Sequence, residues 1–149
     1  LFDHIRSSPA IRERTLVILC SDNGHEPGAG SGGPLRGAKT RLYEAGIRSP
    51  LIVWVPGIIE PNRRGTVNKT SVFAAFDLVP SLITLTGSTP PGHDVFDGED
   101  MSKTLIGQSA SSRVEPICWR RPPDRKAWPP AIAKPQPDLA IRDGDWKLL

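Results

Sequence analysis

Cysteine is scarce in this chain, with two in 149 residues. Cys20 and Cys118 cannot make the multi-bridge framework of a small secreted domain. Nothing near either thiol marks it as a nucleophile, so neither is expected to react. Both read as small apolar residues inside buried strands. Long apolar runs are missing too, and none approaches the roughly 20 residues of a membrane span. No secretory leader is visible. Strong charge of one sign is absent: 19 basic against 16 acidic residues leave +3. The basic cluster Arg120, Arg121, Arg125 and Lys126 is broken by Pro122, Pro123 and Asp124 and has no interleaved aromatics. It reads as a solvated loop, and no nucleic-acid partner is expected.

What remains is an ordinary globular composition, 38% hydrophobic and 23% charged, long enough for one domain. Residues 1–14 read as a helix broken near Ser8-Pro9. Residues 15–21 read as a first strand, β-branched and unbroken, of the kind buried on both faces. A glycine-rich loop follows over 24–37, then one or two helical turns over 38–45 and a second strand over 50–55 ended by Pro56-Gly57. Residues 58–69 read as loop. A helix starts near Asp77, which is placed to cap it, with Pro80 in its first turn and Gly87 ending it. Leu82, Ile83 and Leu85 are expected to face the core. Residues 114–119 and 139–149 read as an antiparallel strand pair joined by a Pro-rich insert, residues 122–137. Strands alternating with helices give an α/β core, and the last third gives a smaller antiparallel sheet. The first residues read as a helix already under way without a cap, and Leu148-Leu149 as an interrupted strand, so a truncated chain is expected.

The most informative stretch is Ser21-Asp22-Asn23-Gly24, at the end of the first strand. Neighbouring strand side chains point to opposite faces, so Asp22 and Asn23 converge only if the backbone turns at Gly24. A carboxylate oxygen and an amide oxygen then meet at the carboxyl end of a strand, where ligands bind in open α/β sheets. Two hard oxygen donors suit Ca²⁺ or Mg²⁺ better than zinc. The same residues are also plain turn chemistry, and the tetrapeptide alone fits both readings.

Further marks follow in order: Leu35-Arg36-Gly37-Ala38-Lys39, then Tyr43-Glu44-Ala45-Gly46-Ile47-Arg48-Ser49-Pro50. Downstream come Asp77-Leu78-Val79-Pro80-Ser81-Leu82, Phe96-Asp97-Gly98-Glu99-Asp100 and Arg142-Asp143-Gly144-Asp145-Trp146-Lys147-Leu148. Together with Ser21 to Gly24, this series resembles the sulfatase family of the alkaline-phosphatase-like superfamily, in its C-terminal portion. The resemblance implies an α/β fold: the C-terminal half of a mixed sheet with flanking helices over residues 1–100, and the start of a small antiparallel sheet over 101–149. It implies a sulfuric-ester hydrolase acting on aryl or glycan sulfates, in a periplasmic, secreted or lysosomal setting. Asp22 and Asn23 become ligands of one Ca²⁺. Lys39 becomes the sulfate contact that stabilises the transition state, a point charge suited to a tetrahedral anion. His25 is a second substrate-binding candidate on the loop.

Arg36, Glu44 and Arg48 read as scaffold, with Glu44 and Arg48 spaced for an i, i+4 ion pair. Trp54 and Trp146 read as packing residues, and Trp119 and Trp128 as candidate walls of a sugar or aryl site. Asn68-Lys69-Thr70 fits a glycosylation sequon. The family nucleophile is a formylglycine made from cysteine in a C-x-P-x-R or C-x-A-x-R setting, and neither Cys20 nor Cys118 has it. The resemblance therefore implies that the nucleophile and the remaining ligands lie in an upstream half, without which this chain is inactive. Two other readings stay open: a phosphodiesterase or phosphonate hydrolase of the same superfamily, and a non-catalytic sulfatase-like module. Zinc relatives of the first kind carry D-H-G where this chain has Asp22-Asn23-Gly24.

Overall fold

A computed structural model describes all residues except 91, 93, 94 and 123–135. Trp128, Arg125, Lys126 and most of the Pro-rich insert thus lie outside the described residues.

The elements are helices α1 (Phe2–Ser7) and α2 (Pro9–Arg12), strand β1 (Val17–Cys20), helix α3 (Glu44–Ile47), strand β2 (Leu51–Trp54), helices α4 (Leu78–Thr86) and α5 (Ser102–Leu105), and strands β3 (Ile117–Arg120), β4 (Leu139–Asp143) and β5 (Trp146–Leu148). Short 3-10 turns cover Pro61–Arg63 and Ala75–Asp77. β1 and β2 form a two-stranded sheet, and β3-β4-β5 a three-stranded antiparallel one. The α/β class and the small C-terminal sheet are as expected. The described residues fall into two compact units, Leu1–Ile18 with Ile52–Val114 and Leu19–Leu51 with Glu115–Leu149.

In the first unit, Ser8 is extended and Pro9 starts α2, so the break at Ser8-Pro9 is real. α4 ends at Gly87, whose φ of +63° is the left-handed cap that glycine adopts without cost. Leu82, Ile83 and Leu85 are half-buried. Asp77 does not cap α4 with its side chain. Its carboxylate is fully buried and turns elsewhere: Oδ2 accepts the Ala74 amide at 2.7 Å and Arg113 Nε at 3.2 Å, and Oδ1 accepts the Glu99 amide at 2.9 Å. Burial explains the choice, because a charge out of water needs an opposite charge and saturated hydrogen bonds. Ser81 completes the knot, donating to the Asp77 carbonyl and accepting the Met101 amide. A Cβ on Gly98 would stand 2.1 Å from the Phe76 carbonyl oxygen, so only glycine allows this approach. Asp100 accepts Ser102 and Thr84, tying α4 to the start of α5.

The second unit holds α3 and the three-stranded sheet. The expected single strand over 139–149 is a hairpin instead, because Gly144 turns at φ +54° and Asp143 pairs with Trp146. Residues of one sheet face alternate along each strand. One face carries Ile117, Ala140, Arg142 and Lys147. The other carries Leu139, Ile141 and Leu148, all exposed, with Trp146 85% exposed. Trp146 is therefore not the packing residue expected of it.

Two further expectations change. β1 is half-buried at Val17 and Ile18 but exposed at Leu19 and Cys20. Its one hydrogen-bonded neighbour among the described residues is β2, and a two-stranded ribbon does not enclose a strand on both faces. Cys20 and Cys118 are both free and exposed rather than buried. The helical turn expected over 38–45 forms later, at α3.

Candidate metal and anion site

The site candidates all lie in the second unit. Asp22 and Asn23 follow β1 and do converge: Asn23 Nδ2 donates to Asp22 Oδ1. Gly24 makes the turn possible by close approach. Its amide donates to the Gly46 carbonyl at 2.9 Å, and a Cβ there would stand 1.8 Å from the Ala45 carbonyl oxygen. Gly46 is equally confined, since its Cβ would lie 2.0 Å from the Arg41 oxygen and 2.4 Å from that of Ala38. Ala45, where glycine is usual in the family pattern, is buried, and its amide donates to the Arg36 carbonyl at 3.0 Å.

Lys39 joins the same cluster through its backbone, donating to the His25 carbonyl at 3.0 Å. Its ammonium pairs with Glu26 Oε2 at 3.1 Å, and both side chains are about half exposed. The residue after it, Thr40, has φ +74°, unlike every other described non-glycine residue. A β-branched side chain resists that conformation, at a cost of about 1–3 kcal/mol. Glu26 was not singled out from sequence. Nothing local marks it, because its partner depends on how the loop closes.

His25 is half-buried, and its Nδ1 has no hydrogen-bond partner among the described residues. The ring packs on Gly32, where a Cβ would meet Cε1 at 3.0 Å and Nδ1 at 3.1 Å. A cleft of about 480 Å³ opens here, with Asn23, His25, Ser31, Arg48 and Ser49 among its walls. Asp22 and Lys39 do not line it. Arg36 stacks over the Tyr43 ring at 4.0 Å, a scaffold role as expected.

Glu44 is the best-connected charge in the unit. Arg48 approaches it at only 3.9 Å, the i, i+4 pair visible in sequence. Two stronger partners come from the hairpin: Lys147 Nζ donates to Oε1 at 2.9 Å, and Arg142 Nη1 to Oε2 at 3.2 Å. Burial alone raises the Glu44 pKa, but the Lys147 hydrogen bond and charge, then the Arg142 and Arg48 charges, bring it below the ordinary value. Lys147 also sits 5.5 Å over the ring of Trp119, which is half-buried beneath it.

Both Asp22 and Asn23 carry an oxygen of the kind a hard cation takes, although it is the Asn23 nitrogen rather than its oxygen that meets Asp22. The pair is incomplete in number. Among the described residues, no group of three or more His, Cys, Asp or Glu side chains is placed to hold a metal ion.

The family model described as Sulfatase matches residues 8–88. The chain belongs to the sulfatase family. This sulfatase chain is 39% identical over 101 residues to a sulfatase of Formosa agariphila, covering 66% of the chain and 18% of that protein. It is 35% identical over 116 residues to arylsulfatase A of Homo sapiens, covering 75% of the chain and 22% of that protein. A sulfatase structure from work on the metabolism of multiple glycosaminoglycans by Bacteroides thetaiotaomicron superposes with a TM-score of 0.66 at 27% identity, covering 93% of this chain and 28% of that one. The chain thus spans about a fifth of the length of the curated relatives it matches. No helix among the described residues is long and apolar enough to cross a membrane.

Proposed function

We propose that these residues form the metal-and-lysine portion of a sulfuric-ester hydrolase acting on aryl or glycan sulfates. What supports this reading is the backbone cluster in which Gly24, directly after Asp22 and Asn23, packs on α3 while the Lys39 amide donates to the His25 carbonyl. Asp22 and Asn23 supply two ligands to one Ca²⁺, whose role when bound is to neutralise charge on the sulfate group. Because Ca²⁺ takes about six to eight oxygens, the remaining ligands come from sequence outside these residues. So does the nucleophile, since no C-x-P-x-R or C-x-A-x-R occurs here. The 149 residues alone are therefore inactive.

Lys39 holds positive charge where a sulfate oxygen arrives. Glu26 keeps the ammonium paired at 3.1 Å, and the arriving sulfate anion competes with that carboxylate. A half-exposed ion pair contributes about 0–1 kcal/mol, so exchanging it for substrate costs little. His25, which lines the cleft and whose Nδ1 has no hydrogen-bond partner among the described residues, is the second substrate-binding residue. The acidic-amide sequence Asp22-Asn23, rather than a zinc-type D-H-G, supports sulfate over phosphate esters.

The test uses the full-length protein containing this chain. Asp22→Ala is expected to lower bound calcium by elemental analysis. Lys39→Ala is expected to cut kcat/KM on an aryl sulfate about ten-fold to a thousand-fold, with the melting temperature nearly unchanged. Full calcium content and normal turnover in Asp22→Ala overturn the assignment.

A further inference from the structure

α3 is four residues long and has no side-chain N-cap. A helix of one turn does not hold itself in water. Yet α3 carries the Gly46 carbonyl that accepts the Gly24 amide, and the Ala45 carbonyl against which Gly24 is packed. Gly24 follows Asn23 directly, so whatever fixes α3 fixes the turn bearing both oxygen donors.

The hairpin does this. Arg142 and Lys147 are cross-strand partners on β4 and β5, so their side chains leave the same sheet face together. Lys147 Nζ donates to the Leu42 carbonyl at 2.6 Å, just before α3, and to Glu44 Oε1 at 2.9 Å, in its first turn. Arg142 takes the other carboxylate oxygen. All three side chains are three-quarters or more buried, where ion pairs with several hydrogen bonds are stronger than at the surface.

We propose that Glu44, Lys147 and Arg142 are positioning residues for the Asp22-Asn23 pair: the hairpin clamps α3, and α3 holds the turn. The inference rests on the calcium reading above for its functional meaning, but the mechanical coupling is testable by itself.

The experiment measures hydrogen–deuterium exchange by mass spectrometry and Ca²⁺ affinity by calorimetry in the full-length protein. Lys147→Met is expected to speed exchange of the peptide covering 20–26 and to weaken Ca²⁺ binding, each by about ten-fold, while the peptide covering 80–88 exchanges as before. Lys147→Arg, which keeps the charge, is expected to restore both to within about three-fold. Unchanged exchange over 20–26 in Lys147→Met overturns the proposal. If that variant fails to fold, Glu44→Gln gives the same comparison with the same two outcomes. Faster exchange in Lys147→Met with calcium unaltered in Asp22→Ala keeps the coupling and removes the calcium reading. Calcium lost in Asp22→Ala, with wild-type exchange and affinity in Lys147→Met, removes the positioning role alone.

Discussion

Asp77 and Asp22 both stand in sulfatase motifs, and the chain treats them in opposite ways. Asp77 is wholly buried, with two backbone amides and an arginine on its oxygens. Asp22 is exposed at the end of a strand, with the neighbouring Asn23 amide on one oxygen. A wholly buried carboxylate whose two oxygens already hold three hydrogen bonds cannot take a ligand without breaking the fold. One with lone pairs facing water can. Of these two acidic motifs, one is built into the fold and the other leaves its carboxylate exposed.

The first way to break this comparison is to remove one partner of the buried charge. Arg113→Met is expected to cost about 3–5 kcal/mol, because Asp77 is left buried without its counter-charge. Asp22→Ala is expected to stay within about 0.5 kcal/mol, as surface substitutions do. Urea midpoints decide, and comparable shifts for the two variants would end the distinction. Next in size is Gly24→Ala, expected to destabilise by about 1–3 kcal/mol through overlap with the Ala45 carbonyl. A wild-type melting curve for that variant would show that the turn is not held as described.

The smallest effect is acid sensitivity. Glu44 is charged in the fold at a pH where the unfolded chain binds a proton, so its folded pKa lies below the ordinary 4.5. Its contribution is complete above that value and fades as pH falls through the lowered folded pKa. The melting-temperature gap between wild type and Glu44→Gln is expected to narrow as pH drops below 4.5. A gap that stays constant or widens on acidification contradicts the clamp's charge.

Much of the fold was legible where the signal is local. Ser8-Pro9, Pro56-Gly57 and Gly87 punctuate the chain where the sequence puts them, since each acts through its own φ. The turn after Asp22 and Asn23 was legible at Gly24, but its cause was not, because Gly24 packs against the distant Ala45 and Gly46 carbonyls. What was not legible depends on distant partners. Asp77 read as a helix cap because Arg113, 36 residues on, leaves no local mark. Glu44 read as the partner of Arg48, four residues away, while Arg142 and Lys147 lie 98 and 103 residues downstream. Trp146 read as core because tryptophan usually is. Its side depends on the register of β5 against β4, which follows from the turn at Gly144.

The glycines of the loop and of α3 tolerate change in two different ways. Gly28 and Gly33 turn at φ +84° and +58° with open space around them, whereas Gly24 and Gly46 are hemmed in by carbonyl oxygens. The two kinds therefore fail differently on substitution. At Gly28 and Gly33 a side chain would find room but only on a strained left-handed backbone, whereas at Gly24 and Gly46 even a methyl would overlap a carbonyl oxygen. A replacement in the outer loop strains one residue, and one beneath it displaces a neighbour.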